Sequence, residues 1–266
     1  MRQIINDSID NITIINGSNN SLPFVISIPH SGLYIPKEMN DKLNDNIILS
    51  NSDWYLKELY SFLKELGFTI IINNINRYTI DPNRELNIDN KDNFSNSLIF
   101  LKNSFSKDIY KVNLTEEEIN NRINKYYKTY HNELQNQINN KLKVFNKVYL
   151  IDLHSFGKDL NTDIILGDNN HSTMNIDTFK MIKNCFIKNK FIVSDNNPYK
   201  GGYITRKYGL NNGECESIQI ELSYRKYIDN REFYEEELPN INKTIMNNCQ
   251  KRLKKAFISI INNTRV

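Results

Sequence analysis

Short, continuously apolar runs alternate along this chain with longer segments whose apolar residues recur every three or four positions. The short runs are Phe24 to Ile28, Thr69 to Ile72, Val148 to Leu153, Asp163 to Leu166, Phe191 to Val193 and Ser217 to Leu222. Their length predicts strands, and several are too continuously apolar for a sheet edge. The periodic segments, Asp53 to Leu66, Thr115 to Leu142, Thr173 to Asn189 and Leu238 to Ile261, predict helices. The second has the clearest start. Thr115 followed by Glu118 fits a capping box, and Glu116 and Glu117 suit the positive end of the helix dipole. Its residues Ile119, Ile123, Tyr126, Tyr130, Leu134 and Ile138 keep a helical spacing that sets one face on a core. Alternation of this kind predicts an α/β fold with a mixed, largely parallel central sheet flanked by helices. With no internal repeat, linker or sharp change of composition, residues 1–266 read as a single domain.

Composition adds exclusions. A chain with 39% hydrophobic and 24% charged residues is globular rather than disordered. The net charge of +3 is small, and Lys and Arg are spread without a basic block, so nucleic acid is not an expected partner. Asn-rich stretches, Asn16 to Asn20 and Asn87 to Asn96, read as loops. Cys185, Cys215 and Cys249 are odd in number and widely spaced, against both a disulfide framework and a thiolate zinc site. The start, Met1-Arg2-Gln3, opens no apolar leader, and no run of about 18 apolar residues occurs. The expectation is a cytoplasmic protein with no membrane partner.

Chemistry concentrates at strand ends. His30 closes the run Phe24 to Ile28 and His154 closes Val148 to Leu153; each is followed by Ser. Glu221 closes Ser217-Ile218-Gln219-Ile220. Ligands of open α/β sheets sit beyond the carboxyl ends of strands, and two imidazoles with carboxylates there suit Zn²⁺. A strand-end His taken alone is more often a hydrogen-bonded structural residue, so spacing leaves both readings open. Ser31 and Ser155 sit in no GxSxG elbow and are not expected as nucleophiles.

The segments Pro29-His30-Ser31-Gly32 with Ile35-Pro36, Asp81-Pro82-Asn83-Arg84, Asp152-Leu153-His154-Ser155, Gly201-Gly202-Tyr203 and Gln219-Ile220-Glu221-Leu222 occur in one order from residue 29 to residue 222. Together they resemble the ordered motifs of the N-formylglutamate amidohydrolase family, itself similar to zinc carboxypeptidases and aspartoacylases. The resemblance implies metal ligands at His30 and His154, an Asn83-Arg84 pair for a substrate carboxylate and a general base at Glu221. It also implies a carboxylate ligand three residues after the first His, where this chain has Leu33. Asp53 is the candidate replacement, and its competing role is a helix N-cap. Asp152 is not expected as a ligand, since it would reach His154's side only from a bent strand. His131, in a Tyr-His pair that similar proteins share, is either a pocket residue or a packed helix residue. Arg77 and Arg206 could each bind a carboxylate or simply lie at the surface. Gly201-Gly202 could cover a pocket or form a turn. His171 reads as a loop residue.

The expected reaction is zinc-dependent hydrolysis of the amide bond of a small acidic N-acyl amino acid, first of all N-formyl-L-glutamate. Arg84 could also stabilise the developing oxyanion. Another N-acyl amino acid or a peptide C-terminus is the second enzymatic reading. A non-catalytic module that binds metal and carboxylate is the third; Leu33 favours it and Glu221 opposes it.

Overall fold

The computed structural model describes residues 10–87, 94, 96–210, 213–229 and 239–264. Seven strands build one sheet: β1 (Ile12–Ile15), β2 (Phe24–Ile28), β3 (Thr69–Asn73), β4 (Val148–Phe156), β5 (Ile164–Gly167), β6 (Val193–Asp195) and β7 (Cys215–Ser223), in the order β1-β3-β2-β4-β7-β5-β6. The central strands β3, β2, β4 and β7 run parallel. Strand β1 joins β3 antiparallel, and β5 joins β7 antiparallel with β6 parallel beyond it. The helices are α1 (Lys37–Asn40), α2 (Leu56–Leu59), α3 (Glu116–Arg122), α4 (Lys128–Leu142), α5 (Ile176–Lys188), α6 (Tyr203–Tyr208) and α7 (Lys243–Asn263). None of the described helices is long and apolar enough to cross a membrane.

Period-two alternation divides the strand residues between two layers. On one face Ile26, Ile28, Ile70, Ile72, Ile151, Leu153, Ile218, Ile220 and Leu222 pack with Leu56 and Leu59 of α2, Phe179, Ile182 and Phe186 of α5, and Leu253, Phe257 and Ile260 of α7. On the other, Val25, Ile71, Val148 and Leu150 lie under Tyr130, Leu134 and Ile138 of α4 and Ile204 and Tyr208 of α6. That second face changes character along the strands. In β4 it runs Val148, Leu150, Asp152, His154; in β7 it runs Cys215, Ser217, Gln219, Glu221. The register pairs Asp152 with Gln219 and His154 with Glu221, so the carboxyl ends of neighbouring parallel strands carry a polar stripe beyond the apolar part.

The structure differs from the sequence expectation where short-range geometry decides. The capping box at Thr115 and Glu118 is formed. The helix behind it is interrupted by a π turn, Ile123–Tyr127. Consequently Ile119, Ile123 and Tyr126 pack with Ile75, Ile80 and Leu98, whereas Tyr130, Leu134 and Ile138 pack on the sheet. The segment Asp53 to Leu66 is not one helix: α2 is a single turn followed by a 3₁₀ turn, Ser61–Leu63. Tyr55 at its start holds φ 58°, a left-handed conformation that a helix cannot continue through. Strand β4 continues through His154 to Phe156, so this histidine stands inside the strand. The run at Phe191 forms its strand two residues later, because Phe191 packs against Phe186 instead. Helix α5 starts at Ile176, where Asn175 caps it. Helix α7 starts at Lys243 with Asn242 accepting from Thr244 and Ile245 N–H; the expected start at Leu238 lies outside the described residues. So does most of the Asn87 to Asn96 loop. Strand β1 and helix α6 are too short for periodicity to reveal.

Beyond β2 the chain runs beside residues 73–76. Asn73 Nδ2 donates to the Pro29 carbonyl at 2.9 Å, Tyr34 N–H to Asn74 O at 3.1 Å and Asn76 N–H to Tyr34 O at 2.8 Å. Gly32 lies against this segment so closely that a Cβ would overlap the Asn74 backbone and sit 2.6 Å from Asn73 O. Gly32→Ala is therefore expected to push the loop carrying His30 off β3. Overpacking of this kind costs about 1–3 kcal/mol, a drop in Tm of several degrees that thermal melting would register.

Candidate metal centre and substrate cavity

His30 stands two residues past β2, His154 near the end of β4, and Asp53 just before α2. They meet because β2 and β4 are parallel neighbours and because the chain from Ser52 to Tyr55 folds back onto the end of β2. Asp53 N–H donates to His30 O at 3.1 Å, and Tyr224 OH holds Ser52 O at 2.5 Å. The two imidazole rings lie 4.7 Å apart, centroid to centroid. Asp53 Oδ2 is 2.9 Å from His154 Nδ1 and 3.7 Å from His30 Nδ1. One donor atom from each of the three buried residues falls within 4.8 Å of the others. Asp53 does not cap a helix; the capping position of α2 is Tyr55, without a side-chain cap bond.

The opposite ring nitrogens are also occupied. His30 Nε2 lies 2.6 Å from Asp81 Oδ1, and His154 Nε2 lies 2.8 Å from Asp152 Oδ2. A carboxylate only accepts, so Nε2 of each ring carries a proton; Nδ1 of each faces Asp53, and that of His154, 2.9 Å from Asp53 Oδ2, carries one as well. Carboxylate-backed histidines are the usual outer support of a metal site. Burial, helped by the charge of Arg77 and opposed by Asp81, lowers the His30 pKa to about 4, so its Nδ1 is a free lone pair. His154 behaves oppositely. Burial disfavours its charge, yet Asp152 and Asp53 together hold its pKa well above the ordinary value. A nitrogen, nitrogen, carboxylate set on this backing fits a zinc-type ion, and the cation would take the place of the His154 proton.

Each backing carboxylate is itself anchored. Arg77 Nη2 donates to Asp81 Oδ2 at 2.7 Å, while Nη1 donates to Asn51 O at 3.2 Å. Ser27 Oγ donates to Asp152 Oδ1 at 2.6 Å, with Tyr130 OH of α4 2.8 Å behind it. Asp152 reaches His154 without any bend. Residues two apart in a strand share a face, which corrects the expectation that the strand must distort.

A cavity of about 540 Å³ opens over the cluster. Glu221 lines it beside His154, with Gln219 Nε2 donating to Glu221 Oε1 at 2.8 Å and Gly202 N–H donating to Gln219 Oε1 at 2.7 Å. Burial, with Asp53 and Asp152 adding to it and His154 opposing, pushes the Glu221 pKa up to about 8. Tyr199, also on the wall, is pushed up to about 12 by burial and by the charges of Glu221 and Asp53.

Arg84 and Asn83 line the cavity too. Asn83 uses its amide within the wall: Oδ1 accepts from Ile204 N–H at 2.8 Å, and Nδ2 lies 3.0 Å from His154 Nε2 and donates to Asp152 Oδ2 at 3.4 Å. Gly202 abuts that amide, leaving no room for a Cβ. Arg84 is less committed. Nη1 donates to Asn83 O at 3.1 Å and Nε is buried without a hydrogen-bond partner. Burial lowers its pKa, Asp81 opposing while Arg77 and Arg206 add to the fall. Among the described residues no carboxylate forms an ion pair with this guanidinium.

Of the residues singled out in the sequence, the structure gathers His30, Asp53, His154, Glu221, Asn83, Arg84 and Arg77 around one cavity. It leaves two outside the lining. Arg206 is exposed and donates to Gly201 O at 2.9 Å. His131 is buried behind the wall, between Tyr208 OH and Pro82 O. Sequence reasoning gave no role to Asp81, Asp152 or Gln219. The available signal was a polar residue two positions before a polar strand end, in Asp152/His154 and in Gln219/Glu221.

The model of the N-formylglutamate amidohydrolase family matches residues 22–228. The chain is 25% identical over 254 residues to the N-formylglutamate deformylase of Pseudomonas putida, covering 90% of this chain and 93% of that protein. It is 25% identical over 222 residues to the protein of the same name from Pseudomonas aeruginosa, covering 78% and 83%. Among solved structures it is similar to an N-formylglutamate amidohydrolase from Ralstonia eutropha JMP134, with a TM-score of 0.76, 22% identity and coverage of 94% and 97%. A protein of Agrobacterium tumefaciens is also similar, with a TM-score of 0.65, 14% identity and coverage of 94% and 92%. These two structures bear on the fold, which they share.

The arrangement predicts uptake of about one equivalent of zinc, abolished in His30→Ala and in His154→Ala. Asp53→Asn should weaken zinc binding in a metal titration, whereas loss of a mere helix cap would cost about 1 kcal/mol in a melt and leave the titration unchanged.

Glu221 makes a prediction in protein stripped of metal by a chelator. Between the ordinary carboxyl value of 4.5 and about 8, the folded protein holds a proton that the unfolded chain has released. Stability must therefore fall as pH rises through that window. Glu221→Gln, neutral throughout, should melt higher than the parent at pH 8 and level with it near pH 4. Parallel melting curves at all pH values would place the Glu221 charge elsewhere.

Proposed function

Since the chain belongs to the N-formylglutamate amidohydrolase family and is thereby an amidohydrolase, we propose that it hydrolyses N-formyl-L-glutamate to L-glutamate and formate, with His30, Asp53 and His154 holding a zinc or similar divalent ion. The two Pseudomonas relatives, N-formylglutamate deformylases by name, support the substrate. One observation carries the reading: a buried carboxyl, Glu221, shares a cavity with three convergent metal donors and a guanidinium without an ion pair among the described residues.

The ion would supply Lewis acidity, polarising the formyl oxygen and making a water acidic near neutral pH. The protein's own groups do the rest. Glu221, with Oε1 held by Gln219, takes a proton from the water that adds to the formyl carbon. The carbon–nitrogen bond then breaks as Glu221 passes that proton to the leaving nitrogen, giving formate and the free amine. Burial raises that carboxyl above its ordinary value, which strengthens it as a base. Arg84 grips a substrate carboxylate, for which a planar guanidinium is shaped. Asn83 and Gly202 shape the wall beside it.

The cavity of about 540 Å³ is larger than a formyl group requires, and this favours, as a second reading, a bulkier N-acyl amino acid. Formate or acid release from N-formyl-L-glutamate, N-acetyl-L-glutamate, N-formyl-L-aspartate and a formylated amine without carboxylates separates the readings. N-formyl-L-glutamate should be turned over best and the amine poorly. Glu221→Gln should keep its zinc and lose at least about 10²-fold in kcat, while Arg84→Ala should chiefly raise KM. Equal turnover of amine and amino acid would end the case for carboxylate recognition. Zinc uptake with no turnover of any of the four would favour a binding protein.

A further inference from the structure

Residues 81–84 join the two halves of the site. Asp81 backs His30, and Arg84 lines the cavity three residues later. The turn between them has little hold on itself: Asn83 N–H donates to Asp81 Oδ1 at 2.8 Å, and Arg84 N–H reaches Asp81 O at 3.3 Å. The carbonyls of Pro82 and Arg84 are taken up by one helical face. Tyr127, last residue of the π turn, donates its hydroxyl proton to Arg84 O at 2.9 Å. His131, one turn on in α4, lies with Nε2 2.9 Å from Pro82 O. The two rings pack on each other with centroids 4.4 Å apart.

The tautomer of His131 follows from these partners. A carbonyl only accepts, so Nε2 carries the proton; the one Tyr208 hydroxyl proton, at the end of α6, is shared between His131 Nδ1 at 2.9 Å and His131 O at 3.1 Å. Burial, with the charge of Lys207, lowers the His131 pKa to about 3, in keeping with a neutral ring. Neither Tyr127 nor His131 lines the cavity.

We propose that Tyr127 and His131 are positioning residues that clamp the carbonyls of Arg84 and Pro82, and so aim Arg84 at the substrate carboxylate without touching it. The proposal rests on the reading of Arg84 as the carboxylate-binding residue. It treats Tyr127 and His131 as a brace behind the pocket, where for His131 a pocket contact or simple helix packing were the alternatives.

Two measurements test it, one of them independent of catalysis. Tyr127→Phe removes one oxygen and keeps the ring. Losing such a hydrogen bond corresponds to about a 2- to 12-fold effect, which should fall on KM for N-formyl-L-glutamate with kcat changed by less than about twofold. In an Arg84→Ala background the same change should have no further effect, since the residue being aimed is gone. His131→Leu should behave like Tyr127→Phe, and His131→Gln, whose Nε2 can still donate to Pro82 O, should recover most of the loss. Hydrogen exchange over residues 81–84 should quicken in Tyr127→Phe and His131→Leu, whether or not any substrate is turned over. Unchanged exchange in Tyr127→Phe would overturn the proposal. So would a KM effect of equal size in the Arg84→Ala background, or a loss shared equally by kcat and KM. If the parent protein failed to hydrolyse N-formyl-L-glutamate, the functional reading would fall by itself and the exchange data would still decide the brace.

Discussion

The Asp53 carboxylate, set between two imidazole nitrogens in a buried place, is the interaction on which the rest of the site depends. Three ionisable groups cannot be withdrawn from water this far unless each polar atom finds a partner, because an uncompensated buried charge costs several kcal/mol. His154, charged between Asp53 and Asp152, answers the need on one side; neutral His30, backed by Asp81, answers it on the other. A divalent cation would satisfy the same three donors at once, and its binding would then displace the His154 proton and depend on pH.

Everything packed around these residues serves to satisfy that cluster. Arg77 neutralises Asp81, Ser27 donates to Asp152 with Tyr130 of α4 behind it, and Tyr224 OH holds the Ser52 carbonyl next to Asp53. The π turn and α4 therefore touch the site twice, through Tyr130 and Ser27 to Asp152 and through Tyr127 and His131 to the Arg84 turn. On the opposite wall Gly202 ties Gln219, and through it Glu221, to the same segment that holds Asn83. Glu221, the cluster of His30, Asp53 and His154, and Arg84 are thereby referred to one sheet end, where ligands of parallel α/β folds gather.

The α/β class, the inner strands and the long helices were legible in the chain, because a buried strand or amphipathic helix must repeat its apolar residues at the period of its own backbone. His30, His154 and Glu221 were legible for a related reason: each interrupts an apolar strand at its carboxyl end. Tertiary structure alone decided the rest. It showed that Asp53 turns to the histidines and not to a helix end, since that depends on a left-handed Tyr55 and a hydrogen bond to His30 O, 23 positions away in sequence. It placed Asp81 and Asp152 behind the rings and His131 behind the wall, because the partners Pro82 and Tyr208 lie 49 and 77 positions from that histidine. Periodicity is a property of one element and can be read from its residues. A hydrogen bond between elements is a property of how they pack, and the chain carries it only once it is folded.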